Sequence, residues 1–174
     1  MGLQGLDRKR ETGFTLMEMM VVVAIIGILV AVAIPSFSVW LPNYKLKGAV
    51  QDLYSNMQNA KMEAIRANGF YEISFNTAGD TYTMTSPSGP APPVTLSEYG
   101  YGVRYGKPGG GDAVTYDDDK IFFTSRGMIV MGDPQTAFGT GEVYLTNDKN
   151  TYYRVRTVGT GVQYLEKWDG STWK

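Results

Sequence analysis

One acidic residue, Glu18, stands inside an otherwise uncharged, apolar run of 21 residues from Phe14 to Ile34. An unpaired carboxylate is costly in the apolar part of a bilayer, so it is rare there unless a partner neutralises it. The chain holds no His and no Cys, which removes the commonest general base, the commonest metal ligand and every Cys/His catalytic set. Charge pairing, rather than catalysis, is therefore the chemistry that this pattern favours for Glu18.

The apolar run predicts a helix that crosses a membrane. As an α-helix, 21 residues would be about 30 Å long, which is enough to span the hydrocarbon core of a bilayer. Arg8, Lys9 and Arg10 precede the run, and such basic clusters normally stay in the cytoplasm. We therefore expect a single pass with the N-terminus inside and the residues after Pro35 outside.

The position of the plausible processing site separates this segment from an ordinary secretory signal, whose cleavage site follows a shorter apolar core. Here the one plausible site precedes the core, between Gly13 and Phe14. Cleavage there would make Phe14 the new N-terminus and leave Glu18 about one helical turn from a free amine. In a helical assembly, the Glu18 carboxylate of one subunit can then neutralise the Phe14 amine of its neighbour.

The string G-F-T-L-M-E, followed by an unbroken apolar helix, resembles the prepilin signal of type IV pilins and type II secretion pseudopilins. The resemblance implies cleavage after Gly13 by prepilin peptidase, N-methylation of Phe14, and a role for Glu18 as the acidic fifth residue of the mature chain. Met17 replaces the Ile that is usual before this glutamate, which is a mild apolar change. The alternative is a plain membrane anchor with a chance glutamate, but the basic leader, the junction, the spacing and the length agree with a prepilin.

Length and charge suit one exported globular domain behind this helix. Of 174 residues, a 13-residue leader and the apolar run leave about 140, enough for a domain with its own core. The net charge is −1, and removing the leader leaves 13 basic and 15 acidic side chains, which gives no electrostatic footprint for general nucleic-acid binding. The 21 Gly and 12 Tyr residues fit a β-rich domain with many turns.

The helix is predicted to continue past the membrane and to end near Ala67. Pro35 predicts a kink, and Pro42 predicts either a second bend or the first turn of a new helical stretch. Asn68-Gly69 is a typical helix stop. The expected buried stripe has spacings of three and four and consists of Leu46, Val50, Leu53, Met57, Ala60 and Ala64, widened by Ala49 and Ile65.

After Gly69 the apolar period changes from 3.6 to 2, which predicts many short strands. The expected fold class is α+β, with a long N-terminal α-helix packed on an antiparallel β-rich globular domain. The predicted organisation is a leader over 1–13, a transmembrane or filament-core helix over 14–34, its amphipathic continuation over 35–68 and a β-rich domain over 69–174. The predicted strands lie at 70–75, 81–85, 94–97, 102–105, 120–124, 128–131, 142–146, 151–158 and 162–168, with a loop over 86–93.

A second resemblance extends over most of the chain and is weakest at residues 86–120. The helix end Ala60-Lys-Met-Glu-Ala-Ile-Arg66, the turn Phe123-Thr-Ser-Arg-Gly127 and the later strands resemble the GspH/FimT group of pseudopilins and minor pilins. Some relatives of that group bind DNA through a Gly-Arg-x-Arg tail. The matching turn here, residues 161–164, reads Gly-Val-Gln-Tyr and lacks both arginines, so nucleic-acid binding is not expected.

Three further patterns have a functional and a simpler interpretation. Asp117-Asp118-Asp119 could offer oxygens to calcium, but the spacing of known loops is absent and a solvated loop is favoured. Gly109-Gly-Gly111 lacks the Gly-Lys-Ser/Thr that follows a phosphate loop, so a flexible loop is favoured. Arg154 and Arg156 share one strand face by alternation, and we expect that face to be solvated.

The predicted function is that of a structural subunit, a minor pilin or pseudopilin of a type IV pilus or type II secretion pseudopilus. Its expected partners are other pilin or pseudopilin subunits, prepilin peptidase, the inner-membrane assembly platform and the membrane itself. It would start as a single-pass inner-membrane protein and end in a periplasmic or cell-surface filament, with no cofactor, no metal and no enzymatic activity. The alternative is a binding module at a filament tip that captures a ligand or DNA.

Overall fold

The computed structural model describes residues 13–131 and 138–174, apart from the side chains of residues 35 and 36. Residues 1–12, which include the basic leader cluster, and residues 132–137 lie outside the described residues. The chain divides into two compact units, of which the first ends at Ser38 and the second comprises Val39–Lys174. Each unit is described separately below.

The first unit consists of the N-terminal part of helix α1, which as a whole runs from Leu16 to Arg66. This agrees within two residues with the helix predicted over 14–67. In the described part, Leu16–Ile34 is the one helical stretch long and apolar enough to cross a membrane, with a mean hydropathy of 2.8. None of that stretch is buried within the chain, so its apolar side chains are left for an environment outside the subunit.

In the second unit, α1 buries the predicted stripe against the globular domain. All six stripe residues from Leu46 to Ala64 are buried, and Ala49 is buried with them. Ile65 was expected to widen the stripe, and that expectation is wrong, because Ile65 is 46% exposed. Consecutive helical residues are rotated by about 100° around the axis, so Ile65 points to the side of the helix while Ala64 points at the core.

The helix ends where the sequence predicted, through a left-handed residue at Asn68, whose φ is +48°. The backbone N–H of Asn68 donates to the carbonyl of Ile65, and that of Gly69 donates to the carbonyl of Ala64. These two bonds form a Schellman motif, in which carbonyls of the last turn find donors after the helix has stopped. The chain can then enter the first strand directly.

Within the described residues, ten strands form two antiparallel sheets, which confirms the predicted α+β class. In the first sheet the order is β3-β2-β1-β6-β7, with β4 also pairing β2, and in the second it is β10-β9-β8-β5. The strands are β1 (Tyr71–Asn76), β2 (Thr81–Ser86), β3 (Gly89–Pro90), β4 (Val94–Thr95), β5 (Arg104–Tyr105), β6 (Lys120–Phe123), β7 (Ile129–Val130), β8 (Gly141–Thr146), β9 (Tyr152–Thr157) and β10 (Gln163–Lys167).

Two details differ from the expected strands. The predicted loop over 86–93 contains the two-residue strand β3, whose Pro90 lies at the edge of the sheet, where a missing N–H does least harm. The strand predicted over 94–97 stops after Thr95, and a 3₁₀-helix follows at Leu96–Tyr99. Both differences fall in the segment where the resemblance to known proteins was weakest.

One core joins the helix stripe to the inward faces of both sheets. Ile73, Ile121 and Phe123 contribute from the first sheet, and Val143 and Val155 from the second, and all are fully buried. Burying such a side chain contributes about 1.5–3 kcal/mol relative to leaving it in water. The inward positions alternate along β9 with outward ones, as the period of two predicted.

Polar contacts also connect both ends of the α1 segment in the second unit to the turns that join strands of the second sheet. Asn43 Oδ1 accepts hydrogen bonds from Asn147 Nδ2 at 3.0 Å and from Thr151 Oγ1 at 2.7 Å. Near the other end, Lys61 Nζ donates to the carbonyl of Gly161 at 2.9 Å. The helix is therefore fixed on the domain by directional bonds as well as by apolar packing.

Candidate functional site

The predicted cleavage junction lies immediately before the first helical residue. Gly13, Phe14 and Thr15 are outside α1 and exposed, and Phe14 is 78% exposed. The bond between Gly13 and Phe14 is thus free of helical hydrogen bonding and accessible to another molecule. Whether it is cleaved remains a prediction, since residues 1–12 lie outside the described part of the chain.

Thr15 fixes the start of the helix, a role that the sequence reasoning missed. Its Oγ1 accepts a hydrogen bond from the backbone N–H of Glu18 at 3.2 Å, and its carbonyl accepts one from the N–H of Met19. This is the N-cap arrangement, and Thr-x-x-Glu is the sequence signal that would have revealed it. The cap places Glu18 in the first turn, where the positive end of the helix dipole favours a carboxylate.

Glu18 is exposed, and among the described residues no cation forms an ion pair with its carboxylate. Its neighbours along the helix, from Leu16 to Ile34, are apolar and exposed. Once this surface is covered by lipid or by other subunits, the carboxylate needs a partner from outside its own chain. Phe14 and Glu18 both lie at the N-terminal end of α1. Their pairing between neighbouring subunits remains a prediction.

Pro35 and Pro42 both lie within α1, which continues through them. Pro42 is buried in the second unit, whereas the side chain of Pro35 is not described. The predicted kinks at these two positions remain predictions.

The second candidate site is the outer face of the second sheet, and it differs from the solvated arginine face that was expected. Arg154 is held by Glu142, with Nη1 to Oε1 at 2.8 Å, and by Glu166, with Nε to Oε2 at 2.6 Å. Its guanidinium also lies over the ring of Trp173, 4.6 Å from the centroid. The Arg154 side chain is only 15% exposed, so the expectation of a solvated arginine is wrong.

Strand register explains this cluster. Arg154 is opposite Tyr144 on one neighbouring strand and opposite Glu166 on the other, while Arg156 is opposite Glu142 and lies 3.7 Å from Glu166. One strand therefore carries both arginines, and each flanking strand carries one acid on the same face. Burial lowers the pKa of Arg154, but the hydrogen bonds with Glu166 and Tyr144 and the charge of Glu142 raise it by more, so the guanidinium stays charged.

The remaining candidates lie apart from both sites. Asp117 and Asp118 are exposed, while Asp119 and Asp112 line one small cleft beside Tyr105. Burial raises the pKa of Asp119, and the negative charges of Asp112 and Asp118 raise it further. Within residues 13–131 and 138–174, no group of three or more acidic side chains could hold a metal ion. The three glycines at 109–111 have positive φ values and form an open turn.

Comparison with known families decides between a plain membrane anchor and a pilin. A family model described as "Prokaryotic N-terminal methylation motif" matches residues 8–34, and one described as "Type II transport protein GspH" matches residues 49–161. The chain belongs to the GspH family. The expected resemblance to the GspH group and to the prepilin signal is thereby confirmed.

Relatives of this GspH-family chain include two curated Pseudomonas aeruginosa proteins named "Fimbrial protein", each 41% identical over 73 residues. That match covers 42% of this chain, and the chain spans about half, 46%, of those relatives' length. Among solved structures, crystals of the type IV minor pilin FimU of Pseudomonas aeruginosa match with a TM-score of 0.48 and 14% identity. In one of these matches 74% of this chain is aligned with 96% of the FimU chain.

For the GspH-family subunit, the arginine cluster bears on the DNA-binding alternative. A protein that binds nucleic acid presents unpaired cations to phosphates. Arg154 and Arg156 instead face Glu142 and Glu166, so the outer sheet face holds as many acids as arginines. The cluster serves to hold three strands and the C-terminal segment together, and the DNA-binding alternative is not favoured.

Proposed function

We propose that this GspH-family subunit is made as a membrane-inserted precursor, processed between Gly13 and Phe14, and then assembled into a helical filament through its N-terminal helix. The observation that carries the proposal is the exposed apolar stretch Leu16–Ile34 with Glu18 as its one charged residue. Nothing in the described part of the subunit covers this helix or pairs with this carboxylate. When identical or similar helices pack together, they would cover the apolar surface and supply a partner for the carboxylate.

The membrane stage follows from the same segment. The apolar stretch fits a membrane-anchored pilin, and Leu16–Ile34 would be about 28 Å long, close to the thickness of the hydrocarbon core. Arg8, Lys9 and Arg10 favour a cytoplasmic N-terminus, and the β-rich domain would then lie on the outer side of the inner membrane. The domain would then be carried into a periplasmic pseudopilus or a cell-surface pilus.

Assembly would pair the methylated amine of Phe14 in one subunit with the Glu18 carboxylate of its neighbour. Each charge removes the cost of burying the other, since an uncompensated charge in an apolar filament core is strongly unfavourable. The partners implied are other pilin or pseudopilin subunits, prepilin peptidase and the inner-membrane assembly platform. Predicted kinks at Pro35 and Pro42 would let the helix follow the filament while the domain stays outside.

The proposed role is structural and not enzymatic. The sequence has no His and no Cys, and the GspH family is one of structural subunits. On the outer sheet face, Glu142 and Glu166 are engaged by Arg154, and Tyr144 donates a hydrogen bond to Glu142, so these groups hold the fold. A tip-binding role has no observation in its favour comparable to the exposed apolar helix.

Processing is tested by replacing Gly13 with Val and mapping the N-terminus of the mature protein by mass spectrometry. The wild-type chain should start at Phe14 and carry one added methyl group, whereas Gly13→Val should keep its leader. Gly27→Val is a matched control, because it makes the same change inside the helix, where an added Cβ meets nothing within 4 Å in the chain. A mature start beyond Pro35 would contradict the proposal.

A further inference from the structure

Two exposed aromatic residues and two lysines follow closely after the apolar stretch and form what we call the collar: Trp40, Tyr44, Lys45 and Lys47. Trp40 is 55% exposed and Tyr44 is 58% exposed. Their rings stack on each other with centroids 5.2 Å apart and planes 20° apart. Both lysines are also exposed, so the collar presents rings and cations on one short stretch of helix.

Trp40, Tyr44 and Lys47 of the collar lie on the face of α1 that the core does not use, and Lys45 lies at the side of that face. Pro42 and Leu46 are buried and mark the side of the helix that packs on the domain. Trp40 and Tyr44 are one turn apart and, at about 100° per residue, fall on the opposite side. Lys47 follows Tyr44 by three residues and extends the same face. Trp40, Tyr44 and Lys47 are therefore exposed on the side of the helix that faces away from the core.

The chemistry of the collar fits the headgroup layer of a membrane. Trp and Tyr are enriched where a membrane meets water, because each ring is apolar and carries one polar group. Residues 35–51 contain Lys45 and Lys47 and no acid, so this stretch complements anionic lipid headgroups. A surface made only to dissolve in water would not need two stacked aromatic rings.

The separation between the apolar stretch and the collar along the chain also fits contact with the headgroup layer. Trp40 comes six residues after Ile34, the last residue of the apolar stretch. Six helical residues rise about 9 Å, and each polar layer of a bilayer extends roughly 5–8 Å beyond the hydrocarbon core. Because only six residues separate Ile34 from Trp40, the length of the chain lets Trp40 reach the headgroup layer when Leu16–Ile34 spans the hydrocarbon core.

We propose that the collar binds the anionic lipid headgroups at the outer surface of the bilayer while the subunit is inserted, and that it leaves them when the subunit joins a filament. The proposal rests on the membrane stage of the proposed function. It adds an interaction surface that holds the base of the globular domain at the lipid surface before assembly. Release of this surface would then be one of the steps of subunit extraction.

The test uses the full-length chain in vesicles, with Trp168→Phe and Trp173→Phe so that Trp40 is the remaining tryptophan. Lipids brominated at a shallow or a deep acyl position report the depth of Trp40 by quenching. We expect blue-shifted emission and at least twofold stronger quenching by the shallow label in vesicles containing phosphatidylglycerol. Circular dichroism checks that the double variant keeps its fold.

Charge recognition is tested by Lys47→Gln, with Lys149→Gln as a matched control in an exposed loop far along the chain. Lys47→Gln should reduce the shallow quenching in anionic vesicles, while the control should leave it unchanged. Equal effects of the two variants, or equal quenching in purely zwitterionic vesicles, would overturn the assignment of anionic lipid as the partner.

Failure of the collar can be told apart from failure of the membrane stage. Val23→Trp, in a chain whose three native tryptophans are replaced by Phe, reports the apolar stretch itself and should be quenched by the deep label. Deep quenching of this probe combined with water-like, unquenched Trp40 would overturn the collar and leave the membrane stage intact. If Trp40 were shielded from water only in filaments and not in vesicles, the partner of the collar would be a neighbouring subunit, and the lipid proposal would be wrong.

Discussion

Leu53→Ala should remove about 3 kcal/mol from the free energy of unfolding of the globular unit. Leu53 is fully buried in the helix stripe and belongs to the core that the helix shares with the two sheets. The lost carbons cost about 2 kcal/mol in transfer free energy, and the cavity left behind adds to this, so that buried Leu→Ala changes typically cost about 2–5 kcal/mol. For a unit of this size, Val39–Lys174, 1 kcal/mol corresponds to about 3–4 °C in Tm, so we expect a drop of roughly 10 °C.

The assay is thermal and urea unfolding of a fragment that starts at Val39, followed by circular dichroism. Ile65→Ala is the matched control, because Ile65 lies on the same helix and was expected on the same stripe but is 46% exposed. That variant should lose less than about 1.5 kcal/mol. Leu53→Asp should not fold at all, since it buries an unpaired charge. Equal losses for Leu53→Ala and Ile65→Ala would refute the assignment of the stripe to the core.

Two more predictions concern charge in the second unit. Arg154→Ala should cost about 3 kcal/mol in urea unfolding, because Glu142 and Glu166 lose the cation that lies between them and pairs with both. Arg66→Ala, which removes an exposed pair with Glu63, should cost under about 1 kcal/mol, and similar losses for the two variants would contradict the largely buried cluster. Asp119→Asn should raise Tm at pH 7 and leave it unchanged near pH 3. Burial and nearby acids raise the pKa of Asp119 in the folded state, so its ionised form opposes folding at neutral pH and this cost vanishes on protonation. A lower Tm for Asp119→Asn at pH 7 would contradict that reasoning.

The helix and the strands could be predicted because they depend on local periodicity. Residues from Leu46 to Ala64 recur at helical spacing, and the same residues are buried. Asn68-Gly69 stops the helix through a motif that needs only the adjacent turn. Ile65 was misplaced because spacing alone does not show where the apolar stripe ends around the helix. The position of the partner sheets decides that, and the sequence of the helix does not contain it.

The arginine cluster could not be predicted because it depends on strand register. Alternation correctly placed Arg154 and Arg156 on one face, but it could not show that Glu142 and Glu166 lie on the flanking strands of that face. Three hairpin-connected strands bring these residues together from positions 24 residues apart in the chain. The N-terminal site is different, since Gly13, Phe14 and Glu18 are contiguous and their pattern is local. Their pairing across subunits remains a prediction.

The pairing of Glu18 with a neighbour's Phe14 amine is the central claim, and Glu18→Ala tests it most directly. Removing one partner of a buried pair costs about 3–5 kcal/mol, which corresponds to a loss of roughly 10²- to 4 × 10³-fold in incorporation. Processing and membrane insertion should remain normal, since loss of a carboxylate favours an isolated spanning helix. The matched control is Glu63→Ala, which removes an exposed glutamate later on the same helix and should behave like the wild type.

The measurement is the ratio of subunit in sheared filaments to subunit in membranes, with cleavage followed on the same blot. We predict that Glu18→Ala is cleaved and found in the membrane fraction but is absent from filaments. Incorporation of Glu18→Ala at the wild-type ratio would contradict the pairing mechanism, and with it the proposed way in which this helix assembles.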